Sequence, residues 1–168
     1  MVREYGLDIS TLIDEPKNFS QTPIFSACVV KGEENSLKMV QVLIDLGCDP
    51  NREDDLKQIP LFYAAREGYN KVINLLISHG ADVNRSDKYG QTSIFYCIRE
   101  GHIETTSLLA SRGAQHDFVD HKLQRPIYYA IQNERYNAVE WLLEKGVDLK
   151  TEDKKRMTPT HWAKKHNK

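Results

Sequence analysis

The sequence predicts an all-α solenoid, a stack of helix–turn–helix units joined by hairpin-like loops. Three observations lead there. The segment Ile59-Pro60-Leu61-Phe62-Tyr63-Ala64-Ala65 returns 33 residues later as Thr92-Ser93-Ile94-Phe95-Tyr96-Cys97-Ile98, then as Arg125-Pro126-Ile127-Tyr128-Tyr129-Ala130-Ile131, then as Thr158-Pro159-Thr160-His161-Trp162-Ala163-Lys164. A second pattern keeps phase with the first: Gly47-Cys48-Asp49-Pro50-Asn51, Gly80-Ala81-Asp82-Val83-Asn84, Gly113-Ala114-Gln115-His116-Asp117 and Gly146-Val147-Asp148-Leu149-Lys150 are each 33 apart. Within a period, apolar residues recur at helical spacing, Leu61, Ala64 and Ala65 and later Val72, Leu75 and Leu76. A fixed period of this length marks an architecture in which one unit cannot bury its own apolar face and must stack on neighbours.

Taken in order, residues 1–21 form a divergent N-terminal cap or partial unit, because Gly6-Leu7-Asp8-Ile9-Ser10 has the unit-ending pattern but Thr22 follows 16 residues after Gly6 instead of 12. Units follow at 22–58, 59–91, 92–124 and 125–157, and 158–168 is a partial C-terminal unit. The first helix of each begins where proline suits the first turn, since its missing N–H costs nothing there. Threonine just before it is a good N-cap; Ile59 and Arg125 in that place suggest two weaker starts. Gly68 and Gly101 fit the end of the first helix, and Gly80, Gly113 and Gly146 the end of the second. Glu134 stands in the glycine slot of the fourth unit, so a different turn is expected if the cost of a left-handed residue, about 1–2 kcal/mol, is to be avoided. Unit one runs 37 residues, and its four extra residues around Lys31–Ser36 should lengthen the turn between its helices.

The two in-phase motifs, at their best between Asp55 and Asp87, resemble the ankyrin repeat, and the resemblance covers nearly the whole chain from about Thr22. It implies a domain that binds other proteins rather than an enzyme. It also implies structural roles for Asp49, Asp82 and Asp148 and for His102 and His161, and it implies asparagine hydroxylation at Asn51 or Asn84. The incomplete end units suggest either a piece of a longer protein or divergent caps.

Composition agrees with a globular chain: 168 residues, 40% hydrophobic and 28% charged. A net charge of −1 argues against a nucleic-acid binder driven by overall positive charge. Charge is nevertheless polarised. Residues 1–57 carry six basic and eleven acidic groups, residues 150–168 seven basic and two acidic. Cys28, Cys48 and Cys97 are an odd, widely spaced set that fits neither a disulfide framework nor a zinc site and reads as buried thiols in a reducing compartment. There is no secretory leader pattern and no apolar run of the roughly 18 residues a membrane helix needs, so a monomeric intracellular protein, cytoplasmic or nuclear, is expected. No P-loop, dinucleotide fingerprint, zincin or nucleophile-elbow motif occurs, and the six histidines are scattered, so no catalytic residue, metal or cofactor is expected.

One column stands out. The slot after the family's histidine reads Ser26, Tyr63, Tyr96, Tyr129, Trp162. One turn on, Arg66 and Glu67, then Arg99 and Glu100, share its helix face. In ankyrin-like stacks this face lines the concave groove, so an aromatic stripe flanked by charge is expected there, either as a binding surface or as packing between neighbouring helices. The rings favour binding, because tyrosine and tryptophan dominate interface hot spots. Phe25, Phe62, Phe95 and Tyr128 should pack inward, and Trp141 should be core. At the loop tips, Tyr89 and the basic run Lys154–Arg156 are candidate contacts. The function expected is a protein–protein interaction module binding a peptide or folded protein, with extended basic and apolar segments suiting Glu67, Glu100 and the rings. Two alternatives stand beside it: a regulatory segment of a larger enzyme or channel, and a methyl-lysine reader using Trp162. Nucleic-acid binding through the basic end is the weakest reading.

Overall fold

The computed structural model describes residues 20–166, with the side chain of His166 left aside. The partial unit read at residues 1–19 lies outside the described residues. Nine helices and no strands occur among the described residues. They are α1 (Pro23–Ala27), α2 (Glu33–Asp45), α3 (Pro60–Glu67), α4 (Asn70–Ser78), α5 (Ser93–Glu100), α6 (Ile103–Ser111), α7 (Pro126–Gln132), α8 (Tyr136–Glu144) and α9 (Pro159–His166). Helices α1, α3, α5 and α7 each pack on the next helix in the chain as a pair, each pair stacks on the following pair, and α9 stacks on α7.

From α3 onward the first helices of successive pairs pack together more closely than the second helices do, whereas at the first pair the long α2 packs on α4 more extensively than the short α1 does on α3. The cause is side-chain size. First helices meet through Ala64, Ala65, Cys97 and Ala130, all fully buried, while second helices meet through Ile73, Leu76, Leu109 and Leu142. Small residues on one row and large ones on the other make each pair a wedge, so the stack curves with α3, α5, α7 and α9 on its inner, concave side. Every large apolar residue fully buried in this way contributes roughly 1.5–3 kcal/mol. Cys28, Cys48 and Cys97 are buried in the same layers. Burial pushes the thiols of Cys28 and Cys97 well above their usual range, which keeps them protonated and inert.

The helix starts differ from the sequence expectation. Thr22 and Thr92 sit in extended N-cap geometry, but neither hydroxyl makes a cap bond and both are buried without a partner. The reason is local. The N–H that a cap hydroxyl would satisfy bonds instead to the cap residue's own carbonyl, as in Phe25 N to Thr22 O (3.1 Å) and Phe95 N to Thr92 O (3.0 Å). The same bond occurs at Phe62 to Ile59 and Tyr128 to Arg125, both 3.0 Å, so those two starts are not weakened for want of threonine. Only at Thr158 does the hydroxyl accept from the third helical residue, His161, at 3.3 Å.

The four extra residues of the first unit do more than lengthen its turn. Helix α2 has 13 residues against 9 in α4, while α1 has 5 against 8 in α3. The insertion adds a helical turn at the start of α2, where Ser36 Oγ donates to Ala27 O at 2.8 Å and ties the extension to α1. Glu134 keeps the left-handed conformation of the glycine it replaces, with φ 55° where Gly68 has 72°. Neighbouring geometry holds it there, since Arg135 N still closes the turn on Ala130 O at 2.8 Å. His102 fills the space beside Gly68 and its Nε2 lies 3.0 Å from Arg66 O.

Candidate concave binding face

Between one pair and the next the chain projects a finger, closed by an aspartate at its base. Asp87 Oδ1 accepts from Tyr89 N (2.8 Å) and Gln91 N (2.9 Å), and Asp87 N donates to Gln91 O at 2.8 Å. Asp54, Asp120 and Asp153 repeat this closure. Adjacent fingers are joined by one backbone bond each: Lys88 N to Leu56 O, His121 N to Tyr89 O and Lys154 N to Lys122 O. Asn51 and Asn84 tie neighbouring units together further from the tips. Asn51 Nδ2 donates to Gly80 O at 2.7 Å while its Oδ1 accepts from Asp82 N at 2.9 Å, and Asn84 does the same to Gly113 and Gln115.

The second carboxylate oxygen of each base aspartate receives the aromatic column. Tyr63 OH donates to Asp54 Oδ2 at 2.7 Å, Tyr96 OH to Asp87 at 2.7 Å, Tyr129 OH to Asp120 at 2.6 Å and Trp162 Nε1 to Asp153 at 2.9 Å. A glutamine from the preceding finger completes the set. Gln58 Nε2 donates to Tyr96 OH (2.6 Å) and Asp87 Oδ2 (3.2 Å), and Gln91 Nε2 to Tyr129 OH (2.7 Å) and Asp120 Oδ2 (3.0 Å). Gln124 reaches Asp153 Oδ2 at 2.8 Å, and Gln21 reaches Tyr63 OH at 2.6 Å. The result is a glutamine–tyrosine–aspartate ladder along the inner edge of the stack. Each buried carboxylate is matched by several donors, as a buried charge must be.

This geometry corrects the picture of an exposed aromatic stripe. Tyr96 is 4% exposed, Tyr129 7% and Trp162 8%; Tyr63 is half-buried. Each tyrosine stands edge-on to a phenylalanine of the preceding unit: Phe25 to Tyr63 at 5.3 Å, Phe62 to Tyr96 at 5.5 Å and Phe95 to Tyr129 at 5.8 Å between centroids. Burial first, and then the aspartate beside each hydroxyl, push the phenols of Tyr63, Tyr96 and Tyr129 well above their usual value. Tyr128, fully buried as expected with Phe25, Phe62 and Phe95, is pushed up to about 12, chiefly by burial. Trp141 is partly buried against the core, edge-on to His116 at 5.6 Å.

Above the rings lie the charged candidates. The Arg66 guanidinium sits 4.9 Å from the Tyr96 centroid and 5.3 Å from that of Tyr63, and Arg99 sits 4.3 Å from Tyr96. Glu67 is exposed, and Glu100 pairs with Arg99 at 3.7 Å. With Glu100 paired and the rings covered, the face does not have the acidic and aromatic character that would suit a basic segment. Trp162 has two lysines of its own chain near its ring, Lys155 at 5.7 Å and Lys165 at 5.4 Å, which gives no support to a methyl-lysine cage. Tyr89 is 47% exposed at its finger tip, with Lys88 Nζ 5.3 Å from its ring. A cleft of about 180 Å³ opens beside Trp162, lined by Lys122, Gln124, Gln132, Lys154 and Lys155 with the base carboxylate of Asp153.

The periodic Asp54/Asp87/Asp120/Asp153 and Gln58/Gln91/Gln124 columns are the residues that the sequence reading did not connect to the rings. Their 33-residue spacing was the available signal. A larger cleft, about 660 Å³, lies at the N-terminal end of this face, reached by Gln21 and Ser26. Pro23, Ala27, Met39 and Val42 line it at the end of the first pair, where a stacked unit exposes apolar side chains. Among the described residues no group of three or more His, Cys, Asp or Glu could hold a metal ion, and no helix is long and apolar enough to cross a membrane.

A curved row of first helices edged by fingers, with its polar groups consumed in holding repeats together, defines a repeat solenoid whose offering to other molecules is a surface. The family model for ankyrin repeats, in three copies, matches residues 5–87, 27–120 and 61–153. The chain belongs to the ankyrin-repeat family, whose members are generally protein–protein interaction modules and typically non-catalytic. No curated protein matches it.

Proposed function

We propose that this chain binds a peptide or a folded protein across its concave side, from the first helices to the finger tips. The observation that carries this reading is the division of labour on that side. The buried ring, carboxylate and amide groups are engaged with one another, while Arg66, Glu67, Arg99, Glu100 and Tyr89 keep surface for a partner. Tyr63, Tyr96, Tyr129 and Trp162 then serve the site from beneath, as the floor on which the cations rest.

The test follows from that division. Replacing the buried tyrosines would disturb the fold, so the informative variant is Arg66→Ala/Arg99→Ala/Tyr89→Ala, checked for native circular dichroism and melting. Its binding to peptides selected on the wild-type chain should fall by about tenfold or more, since centrally placed arginine and tyrosine dominate interface energies. Unchanged binding of every selected peptide would move the site off the concave side.

A further inference from the structure

We infer that the partner is an acidic, extended peptide segment with a carboxylate about every third residue. This rests on the reading that the concave side is the binding face. The first support is charge. The three residues that follow each base aspartate form the finger tips, and they carry Lys57, Lys88, Lys122, Lys154, Lys155 and Arg156, all exposed, against the single acid Asp55. The helix row beneath adds Arg66, Arg99 and Lys165 against Glu67 and Glu100. In a chain whose net charge is −1, this side thus carries nine cations against three acids that reach the surface, Asp55, Glu67 and Glu100. The compensating acids of the fingers are buried at their bases, consumed by backbone N–H groups and the tyrosine ladder, and offer nothing to an incoming cation.

The second support is preorganisation. Arg66 and Arg99 are held on tyrosine faces at 4.3–5.3 Å, each with one further tie, Arg66 Nη2 donating to Gln58 Oε1 at 3.4 Å and Arg99 Nε pairing with Glu100 at 3.7 Å, and Lys155 and Lys165 flank Trp162. A cation already placed loses less freedom when an anion arrives, and a guanidinium stacked by its face still presents its N–H edges. The cleft of about 180 Å³ beside Trp162 sets Lys122, Lys154 and Lys155 around the single carboxylate of Asp153, whose oxygens are taken up by Gln124, Trp162 and backbone N–H groups.

The third support is spacing. Packed helices lie roughly 8–10 Å apart. Each finger brings at least one cation at about that interval, and on the helix row Arg66 and Arg99 are followed by Gln132 and then Lys165. A peptide in the polyproline II form advances about 3.1 Å per residue with three residues per turn, so every third side chain returns to the same face and meets the next unit. A nucleic acid fits less well. Duplex DNA presents a charge about every 1.7 Å of axis, far denser than this face. The rings that could stack on bases lie under the arginines, with Tyr96 and Tyr129 only 4% and 7% exposed.

The experiment uses the full chain and fluorescence anisotropy with four probes of equal length. One is a 16-mer with glutamate at every third position in a glycine–serine–alanine background. The others have the same glutamates in one block, lysine in place of glutamate, and oligouridylate. The periodic acidic peptide should bind best, several-fold above the block isomer. Its affinity should fall at least about tenfold in Arg66→Glu/Arg99→Glu/Lys122→Glu, because exposed pairs contribute modestly and three are reversed. It should be unchanged in Lys38→Glu at the end face. Stronger binding of the lysine peptide or of oligouridylate, indifference to the triple reversal, or no binding of the periodic peptide at millimolar concentration overturns the inference. A peptide-display selection run in parallel separates this from the reading beneath it. Selected sequences without acids that still lose binding in Arg66→Ala/Arg99→Ala/Tyr89→Ala overturn the acidic partner and keep the face. Selected sequences indifferent to that variant overturn both.

Discussion

Removing the hydroxyl of Tyr96 would take one donor from the buried carboxylate of Asp87 and one acceptor from Gln58. Tyr96→Phe should therefore destabilise the protein by about 1–3 kcal/mol in urea unfolding, the range for stranding a buried polar group. Tyr89→Phe, at an exposed tip, should change stability by no more than about 0.5 kcal/mol. The phenols of Tyr63, Tyr96 and Tyr129 have folded-state pKa values raised above the ordinary 10.0. The fold favours their neutral form, so that contribution is whole below pH 10.0 and is lost as pH rises through the raised values. Ultraviolet titration should show Tyr63, Tyr96 and Tyr129 ionising together with alkaline unfolding, not at the ordinary value. Asp153 moves the other way. Burial works against its charge, but bonds from Gln124, Met157 N, Trp162 and Lys155 N outweigh it and depress its pKa. Its contribution is present above pH 3.8 and is lost as pH falls through the depressed value. At Glu134 the chain accepts a left-handed residue with a side chain, φ 55°, and Glu134→Gly should raise stability by about 1 kcal/mol, read as an increase in melting temperature.

At the scale of the element, the helices were legible in the sequence because their signals are local. Proline at the first turn, small residues at the 64 and 65 slots and glycine after the helix each act within a few residues. The ladder was not legible in the same way. Gln58, Asp87 and Tyr96 each look like an ordinary loop or helix residue, and only packing of three successive segments brings them within 3.2 Å. For the same reason the aromatic column suggested a surface. Its period was visible, but the phenylalanine of the preceding unit that covers each ring and the carboxylate that fixes its hydroxyl belong to other elements. The N-cap expectation missed for a smaller reason: an i→i+3 backbone bond does the work assigned to threonine. Coupling within the ladder is measurable. A double-mutant cycle between Gln91→Ala and Tyr129→Phe should give an interaction energy of about 0.5–3 kcal/mol, whereas Gln91→Ala with Tyr63→Phe should be additive.

Across the whole molecule, contacts run from each pair to the next and hardly further. Stability in such a stack is a sum of units and interfaces, so α4 to α6, with neighbours on both sides, should exchange their amide hydrogens slowest. Helix α1 and helix α9 should exchange fastest, which native-state hydrogen exchange would read directly. The ladder adds a rule of construction to this arrangement. Each finger carries a glutamine that reaches forward to the next finger's aspartate and the aromatic residue after it, so every unit is a plug at one edge and a socket at the other. A chain in which residues 59–91 were duplicated in tandem would present Gln58 to the first copy of Asp87 and to the second copy of Tyr63. Gln91 of the first copy would meet the second copy of Asp87 and Tyr96, and Gln91 of the second copy would still face Asp120 and Tyr129. No donor would be orphaned and no acceptor left over, so units of this kind can be gained, lost or exchanged without re-matching the parts, and the length of the chain is free to change while its grammar stays the same.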